Sequence, residues 1–487
     1  MLFRSLISLF PHLHQEATSV GATIVSVSNQ TFLNFDHLAI LIFTSALAAT
    51  IGVLNESGAL SNLLRPLLRS IKTAKQTKLT TYFLGLLIFF DDYTNALLIG
   101  NLMKKPFDQT GISRAKLAYI IDSTAAPVAS LAVMSTWIGF EVNEIKQAIA
   151  NSPIESELGM GPYGIFLNSI PYSFYPILTL IAVFFVVYKN INIGPMRNAK
   201  AEVLIDNWDK IPSAATTAKN SSTALISILF LLLSTFAFTI YTGYLNTNES
   251  HFSWGNLLEY IGVSSIVLSL LWSTTLTLTL TVLLGARSHK LGTQLKWVKE
   301  TMLSVLQPLF VLYLAWFFAG LLQATVLAQY ITDVIQSTAI DPNLFPAMIF
   351  IGAAFISFAT GSSWGTMSIL FPICVPALLT FSWNETILNE ALFYSGIASI
   401  LGGSVFGDHC SPLSDTTIIS SIAAECPHIL HVKTQLPYVL VVGSTALISA
   451  IIPVNYGLPL WVCLAISSLI MLLIFNILNR QNQFFSR

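Results

Sequence analysis

Long apolar segments alternate with polar loops along the whole chain. A membrane-spanning helix needs about 20 predominantly apolar residues. The pattern predicts such segments at residues 36–57, 117–140, 164–188, 222–244, 258–285, 303–328, 437–456 and 458–479. Charged, glycine-rich or proline-containing stretches interrupt three further apolar segments, at 80–103, 344–379 and 391–424. The pattern is typical of an all-α membrane protein with about nine to ten spanning helices.

Composition agrees with a lipid environment. The chain is 54% hydrophobic and only 10% charged, whereas a soluble domain carries about a quarter charged residues. A net charge of −1 leaves no basic excess for a phosphate backbone, which excludes nucleic acid as a partner. The four cysteines lie far apart, without metal-ligand or disulfide spacing, so no cofactor or resident metal is expected.

Lysine and arginine are concentrated in three loops and absent from three others. The basic loops are 58–79, 189–221 and 286–302, and the loops without Lys or Arg are 245–257, 329–343 and 380–390. Basic loops stay in the cytoplasm. We therefore expect a cytoplasmic C-terminus, and an external loop at 141–163, which has four glutamates against one lysine.

Two interrupted segments are predicted to fold as re-entrant hairpins. Segment 80–103 has basic residues on both flanks, so it enters and leaves on the cytoplasmic side and turns at 91–95, with arms of about 11 residues. Segment 344–379 has no basic residue on its flanks and turns at 360–366. It is predicted to enter from outside.

The order of the elements predicts an inverted-topology repeat, which is common among secondary transporters. The first repeat is 36–188, with a helix broken at 122–127. The second is 303–456, with a helix broken at 407–412. The remaining parts are an N-terminal segment at 1–35, linker helices and cytoplasmic loops at 189–302, and a final helix and cytoplasmic tail at 457–487. For the N-terminal segment, an uncleaved, interfacial start is favoured over a signal peptide.

Five aspartates lie inside the predicted membrane segments, and no Lys or Arg does. They are Asp91, Asp92, Asp122, Asp408 and Asp415. A charged carboxylate at a helix centre costs about 2.5–3.5 kcal/mol on insertion scales. We expect a bound cation or a proton to compensate it. Alternatively, some of these acids cap helix ends, an interpretation that fits Asp91 and Asp415 best.

The four interruptions supply the oxygen ligands that Na⁺ prefers. The candidate binding residues are Asp92, Thr94, Asn95, Asp122, Ser123, Thr124, Ser362, Ser363, Thr366, Asp408, Ser411, Ser414 and Asp415. Pro127 and Pro412 follow an aspartate by five and four residues and are expected to break their helices. His409 is either a proton relay or a neutral, hydrogen-bonded imidazole.

Four motifs resemble the NhaC-type Na⁺/H⁺ antiporter family, an inverted-repeat group of ion transporters with two hairpins. They are Phe90–Asn95, Ser113–Pro127, Gly361–Thr366 and Gly407–Thr417. The resemblance implies an antiporter of the bacterial cytoplasmic membrane that binds its substrate at the hairpin tips and broken helices. It leaves open whether Na⁺ and H⁺ or an organic acid or amino acid is carried, and whether the chain forms a homodimer. The chain is expected to be a transporter and not an enzyme.

Overall fold

The computed structural model describes residues 20–69, 71–150, 161–199, 221–247, 251–323, 330, 333, 341–384 and 387–484. Seven helices in this part of the chain are long and apolar enough to cross a membrane. A bent pair of helices, Pro162–Tyr172 and Phe174–Tyr188, forms an eighth candidate span. The protein is therefore a multi-pass, almost entirely helical membrane protein.

Nine α-helices lie in the described part of the chain before position 190. They are α1 (Val20–Leu33), α2 (Phe35–Glu56), α3 (Ala59–Arg69), α4 (Ala74–Leu87), α5 (Asp92–Gln109), α6 (Arg114–Ala129), α7 (Thr136–Ile149), α8 (Pro162–Ser169) and α9 (Phe174–Tyr188).

The rest of the described chain adds twelve helices and one short pair of strands. The helices are α10 (Ser221–Asn246), α11 (Leu257–Gly262), α12 (Ile266–Gly285), α13 (Leu291–Ser304), α14 (Leu306–Gln323), α15 (Phe345–Thr360), α16 (Ser363–Ser382), α17 (Glu390–Cys410), α18 (Asp415–Ala424), α19 (His428–Ala446), α20 (Ile452–Asn455) and α21 (Leu460–Phe484). Strands β1 (Trp383–Asn384) and β2 (Ile387–Leu388) pair antiparallel.

Helices α4 and α5 form the first hairpin. Their open ends meet, since the hydroxyl of Thr77 donates to that of Thr110 at 3.2 Å. At the closed end, the side-chain amide of Asn95 donates to the carbonyl of Gly85 at 2.7 Å. The arms have 14 and 18 residues, longer than the 11 predicted, because the helices continue past the first charged residues to the capping box at Thr73.

Helices α15 and α16 form the second hairpin. The rings of Phe345 and Phe381, near its open end, lie 5.6 Å apart. At the tip, Gly361 ends α15 with φ +68°, a left-handed conformation that glycine adopts without steric cost. A Cβ at this position would lie 2.6 Å from the carbonyl carbon of Leu413. The tip of this hairpin therefore packs against the interruption after α17.

The two broken helices differ in where they break. Helix α17 ends at Cys410, and residues 411–414 separate it from α18. Ser411 is extended, with ψ 132°, as expected for a residue that precedes a proline. Pro412 thus lies inside the break, as predicted.

The prediction of a break at 122–127 was wrong. Helix α6 runs through Pro127 to Ala129, and the interruption is at 130–135. A proline removes one hydrogen bond to the preceding turn, and here the helix ends only two residues later. Ser135 starts the next helix by accepting from two backbone N–H groups.

Three other regions also differ from the sequence prediction. Residues 141–149 belong to α7 and are not an external loop. Segment 164–188 bends by 47° between α8 and α9, near Pro171. The basic loop at 286–302 contains α13, a helix that packs against α2, so that a Cβ at Gly52 would overlap Thr301. The proposed repeat boundaries stay a prediction, and residues 1–19 of the N-terminal segment lie outside the described residues.

Candidate functional site

Asp122 lies in the middle of α6 and is only 1% exposed. Its Oδ2 accepts hydrogen bonds from the hydroxyl of Thr417 at 3.0 Å and from the amide of Gln435 at 2.6 Å. Ser420 donates to Oδ1 at 3.4 Å. The donors come from α18 and α19. Asp122 therefore connects α6 to α18 and α19, which lie about 300 residues later in the sequence.

The side-chain amide of Gln435 has a defined orientation. Its Nε2 donates to Asp122 Oδ2 at 2.6 Å and to the backbone oxygen of His409 at 2.8 Å. Its Oε1 lies 2.9 Å from Nε2 of His431. Because an amide nitrogen can only donate and an amide oxygen can only accept, His431 must carry its proton on Nε2.

Asp408 lies in the last turn of α17 and is 1% exposed. Its Oδ2 accepts from the hydroxyl of Thr416 at 3.0 Å. Its Oδ1 is buried and has no hydrogen-bond partner. Buried acceptors are rarely left unpaired. This oxygen is therefore available to a cation, or it carries a proton.

His409 lies between two hydroxyl groups. Its Nδ1 is 2.8 Å from the hydroxyl of Tyr175, and its Nε2 is 3.1 Å from the hydroxyl of Ser123. Hydroxyl groups can donate or accept. The surroundings of His409 therefore suit both the neutral and the protonated ring, and both interpretations from the sequence stay open.

Asp91, Asp92 and Asp415 meet at the N-termini of α5 and α18. Asp91 caps α5, since Oδ2 accepts from the backbone N–H of Thr94 at 2.8 Å, as the capping alternative predicts. Asp92 is 3% exposed, and its Oδ1 accepts from the backbone N–H of Tyr93 at 3.0 Å. Asp415 does not cap α18, because Ser414 does. Its carboxylate accepts the hydroxyl of Tyr93.

The aspartates interact electrostatically as one group. Asp408 is close enough to repel both Asp122 and Asp415, and Asp92 repels Asp91 and Asp415. No described Lys or Arg forms an ion pair with Asp92, Asp122, Asp408 or Asp415, and the nearest basic group is Nε2 of His431, 3.7 Å from Asp122. Several buried carboxylates without a counter-charge require protons or cations.

Asn95 provides a second buried acceptor without a partner. Its amide nitrogen donates to the carbonyls of Gly85, Ile88 and Thr124 at 2.7–3.1 Å. This fixes the amide so that Oδ1, which has no partner, is open. The hydroxyl of Thr124 donates to its own helix at Ile120. Asn95 therefore fits the predicted ligand set better than Thr124 does.

Of the remaining candidate hydroxyls, those of Thr94 and Ser414 lie within hydrogen-bonding reach of an aspartate, Asp91 and Asp408 respectively. Thr94 donates to Asp91 at 2.6 Å, and Ser414 caps α18. Ser362 accepts from the N–H of Gly365, and Thr366 donates to the carbonyl of Ser362. Ser363 is buried at the start of α16. Ser411 donates to the carbonyl of Phe358 at 2.8 Å, which fastens the second hairpin to the break.

Within the described residues, no three His, Cys, Asp or Glu side chains converge to hold a metal ion. A transported Na⁺ would instead combine one or two carboxylate oxygens with an amide, hydroxyl or carbonyl oxygen. At the aspartate site, Asp408 Oδ1 and Asn95 Oδ1 are buried oxygens of that kind with no hydrogen-bond partner among the described residues.

Sequence reasoning missed several groups that contact the aspartates or His409. They are Tyr93, Tyr175, Thr416, Thr417, Ser420, His431 and Gln435. His431 is fully buried in α19. The spacing of His431 and Gln435 by four residues, which places them on one helix face, is the signal that could have found them.

Two further buried acids lie on α7. Glu141 is 0% exposed, and both of its carboxylate oxygens lack a partner. Glu144 is 2% exposed and accepts from Ser368 of α16 at 3.3 Å. Glu141 and Glu144 therefore lie buried in a helix, and the prediction of a loop was wrong for this part of segment 141–163.

Comparison with known proteins agrees with this arrangement. The sequence profile of the Na⁺/H⁺ antiporter family matches residues 128–454, which is more than half of the chain. The chain belongs to the Na⁺/H⁺ antiporter family. This membership confirms the resemblance that the four motifs indicated, and it makes the protein a secondary transporter.

The antiporter-family chain is also similar to individual proteins. An uncharacterized Haemophilus influenzae protein is 29% identical over 428 residues, or 85% of this chain and 78% of that one. The malate-2H⁺/Na⁺-lactate antiporter of Bacillus subtilis is 29% identical over 123 residues, 24% of each chain.

Two solved transporters share its fold. The YdaH transporter of Alcanivorax borkumensis aligns with a TM-score of 0.57 at 16% identity, covering 91% of this chain and 90% of its own. MtrF of Neisseria gonorrhoeae, described within a class of antimetabolite efflux pumps, aligns with a TM-score of 0.58 at 14% identity, covering 91% and 86%.

Proposed function

We propose that the protein exchanges Na⁺ for H⁺ across the bacterial cytoplasmic membrane by alternating access. Asp122 and Asp408 bind either Na⁺ or protons. Asp92 and Asp415 add to the negative electrostatic potential at the same site. Competition between the two cations for these carboxylates couples their fluxes. In this proposal His409 relays protons to or from the aspartates, and its contacts with the hydroxyls of Ser123 and Tyr175 support that role.

The absence of a fixed counter-charge is the observation that carries the proposal. The described part of the chain gives no Lys or Arg partner to any of these four aspartates, and His431 already donates its Nε2 proton to Gln435. Open oxygens on Asp408 and Asn95 are available to an ion. Family membership supports the same function.

Transport in vesicles tests the proposal. The full chain is reconstituted, a pH gradient is imposed, and Na⁺ or Li⁺ is added while an internal pH dye is followed. We expect dequenching with both ions and none with choline. The assay is repeated from about pH 6.5 to 9.5, because burial can raise the pKa of a carboxylate into this range. A flat signal over this whole range rules out Na⁺/H⁺ exchange.

A second candidate is a Na⁺- or H⁺-coupled carrier of a small organic acid. The partial similarity to a malate-2H⁺/Na⁺-lactate antiporter favours it, and the N-termini of α5 and α18 meet at the site, where helix dipoles attract carboxylates. Uptake of labelled malate and lactate by the same vesicles separates the two functions. The second function is favoured if the vesicles take up either acid in a Na⁺-dependent way and show no Na⁺/H⁺ exchange when the acid is left out.

A further inference from the structure

A cavity of about 450 Å³ opens at the basic end of the first hairpin, away from the aspartates. It is lined by the start of α4, the turn between α5 and α6, the end of α9 and residues 190–199. Five of its lining side chains are cationic: Lys75, Lys78, Lys116, Lys189 and Arg197. The described lining contains no carboxylate. Its volume is within the range of small-ligand sites, roughly 300–1,000 Å³.

Two of these lysines are buried. Lys78 is 3% exposed and Lys116 is 2% exposed, whereas lysines almost never lose this much exposure unless they are paired. Their positive charges repel each other. An uncompensated buried ammonium is costly to the fold. An anionic ligand would supply the negative charge that the described lining of the cavity lacks.

The protein partners of these cations are all neutral. Lys78 donates to the side chain of Asn190, and Lys116 donates to the carbonyl of Ile191 at 2.9 Å and to Asn192 at 3.1 Å. An ammonium group has three donors, so Lys78 keeps two and Lys116 keeps one for a ligand. None of the five cations forms an ion pair with a described acid.

Arg197 and Lys75 complete the wall of the cavity. The guanidinium of Arg197 donates to the carbonyls of Asn192 and Leu478 at 2.9 and 3.0 Å. The ammonium of Lys75 lies 3.6 Å above the ring of Tyr188. These contacts hold both cations at the cavity without neutralising them.

We propose that this basic cavity binds a phosphate-bearing anion. A phosphate group has enough acceptor oxygens and charge to engage several ammonium and guanidinium groups at once. Basic pockets between transmembrane helices on the cytoplasmic side bind phosphate headgroups of anionic lipids in this way. Farther along α4, Phe83 and Leu87 are exposed, and acyl chains that extend from the cavity along this helix would meet an apolar surface.

The ligand would connect the first hairpin to the end of α9. Because the hairpin also carries Asp92 and Asn95 at its closed end, occupancy at the open end is expected to stabilise the arrangement of the hairpin without touching the transported species. The proposal does not depend on which ion or solute the protein carries.

Binding to the purified full chain tests the proposal. The probes are inorganic phosphate, glycerol phosphate, phosphatidylglycerol, cardiolipin and, as a neutral lipid, phosphatidylcholine. Native mass spectrometry counts retained lipids, and the melting temperature reports soluble anions. The first test variant combines Lys78→Gln with Lys116→Gln. The second combines Lys75→Gln with Lys189→Gln. Both positions of the second variant are exposed, so it is expected to fold even if the first variant does not. Lys72→Gln, exposed and outside the lining, is the matched control.

We expect phosphate-bearing probes to bind in preference to phosphatidylcholine, and either double substitution to weaken that binding at least about tenfold. Lys72→Gln should leave it unchanged. Binding of the lipids alone identifies a headgroup as the source, and binding of inorganic or glycerol phosphate as well identifies a soluble anion. Equal binding of phosphatidylcholine, or unchanged binding in both double variants, overturns the proposal.

Discussion

Asp122 and Gln435, 313 residues apart in sequence, are joined by a hydrogen bond of 2.6 Å from the amide nitrogen to the carboxylate. The same nitrogen donates to the backbone of His409, one residue after Asp408. A single side chain thus links the buried acid of α6 to the last turn of α17.

Asp122→Asn and Asp408→Asn are each expected to abolish coupled transport and to leave a folded protein. An amide keeps the shape of the carboxylate but cannot neutralise a bound cation, while loss of a buried charge removes its desolvation cost. The measurements are vesicle transport and melting temperature with and without Na⁺. Asp91→Asn is the control, because Asp91 caps α5 and asparagine caps equally well. Full coupled transport in both variants would place the site elsewhere.

Gln435→Met should impair transport strongly. It removes the shortest hydrogen bond to Asp122 and leaves the carbonyl of His409 without this donor; a hydrogen bond to a charged group is worth about 1.5–3 kcal/mol. Thr434→Val is the neighbouring control, since its hydroxyl bonds only the carbonyl of His431. The apparent affinity for Na⁺ is measured in both variants. An unchanged affinity in Gln435→Met would show that the amide does not tune Asp122.

Glu141→Gln is expected to leave the melting temperature unchanged or to raise it. Both carboxylate oxygens are buried without partners, so an ionised Glu141 is unfavourable and a neutral amide of the same shape is not. Glu56→Gln, at an exposed position on α2, is the control for the chemical change itself. A marked fall in melting temperature for Glu141→Gln alone would mean that Glu141 has a partner that the static structure does not show.

Glu425 should contribute a small, pH-dependent part of the stability. A hydrogen bond from Lys104 at 2.6 Å, with the charges of Lys104 and Arg114, lowers the pKa of Glu425 below its ordinary value of 4.5. The folded state therefore gains stability above about pH 4.5, and it loses that stability as the pH falls through the lowered pKa. The side chain is 53% exposed, so the gain is below about 1 kcal/mol.

Melting temperatures at pH 7 and at pH 4 measure this contribution. Glu425→Gln should show a smaller loss on acidification than the unsubstituted protein. Glu300→Gln, whose partner Lys296 is 3.7 Å away on an exposed helix, should behave like the unsubstituted protein. Equal acid sensitivity in all three proteins contradicts the assignment.

The first hairpin predicts a specific labelling pattern. Cysteines introduced at Lys75 and Gly111, at the open end of the α4–α5 hairpin, should react with an impermeant reagent from the cytoplasmic side. A cysteine at Asn343, before α15, should react from the other side. The four native cysteines are buried and give a low background. Labelling of positions 75 and 111 from opposite sides would disprove the hairpin.

The sequence by itself determined the class of the protein and most of its helices. Apolar length predicts a span wherever burial in lipid outweighs the cost of ordering the chain, so α2, α10 and α21 begin and end within a few residues of their predicted bounds. The charge asymmetry of the loops indicated both hairpins, and the unpaired aspartates indicated a cation or proton site. These features depend on local composition, which the sequence contains.

Tertiary structure alone decided which groups meet. Pro127 did not break its helix at Asp122. The interruption lies at 130–135, and Ser135 caps the helix that follows, α7. Gln435 and Thr417 reach Asp122 from helices about 300 residues away. Lys78 and Lys116 are brought to one cavity with Arg197. Such contacts arise from the packing of helices against one another, and their partners are separated by sequence distances over which local periodicity carries no information.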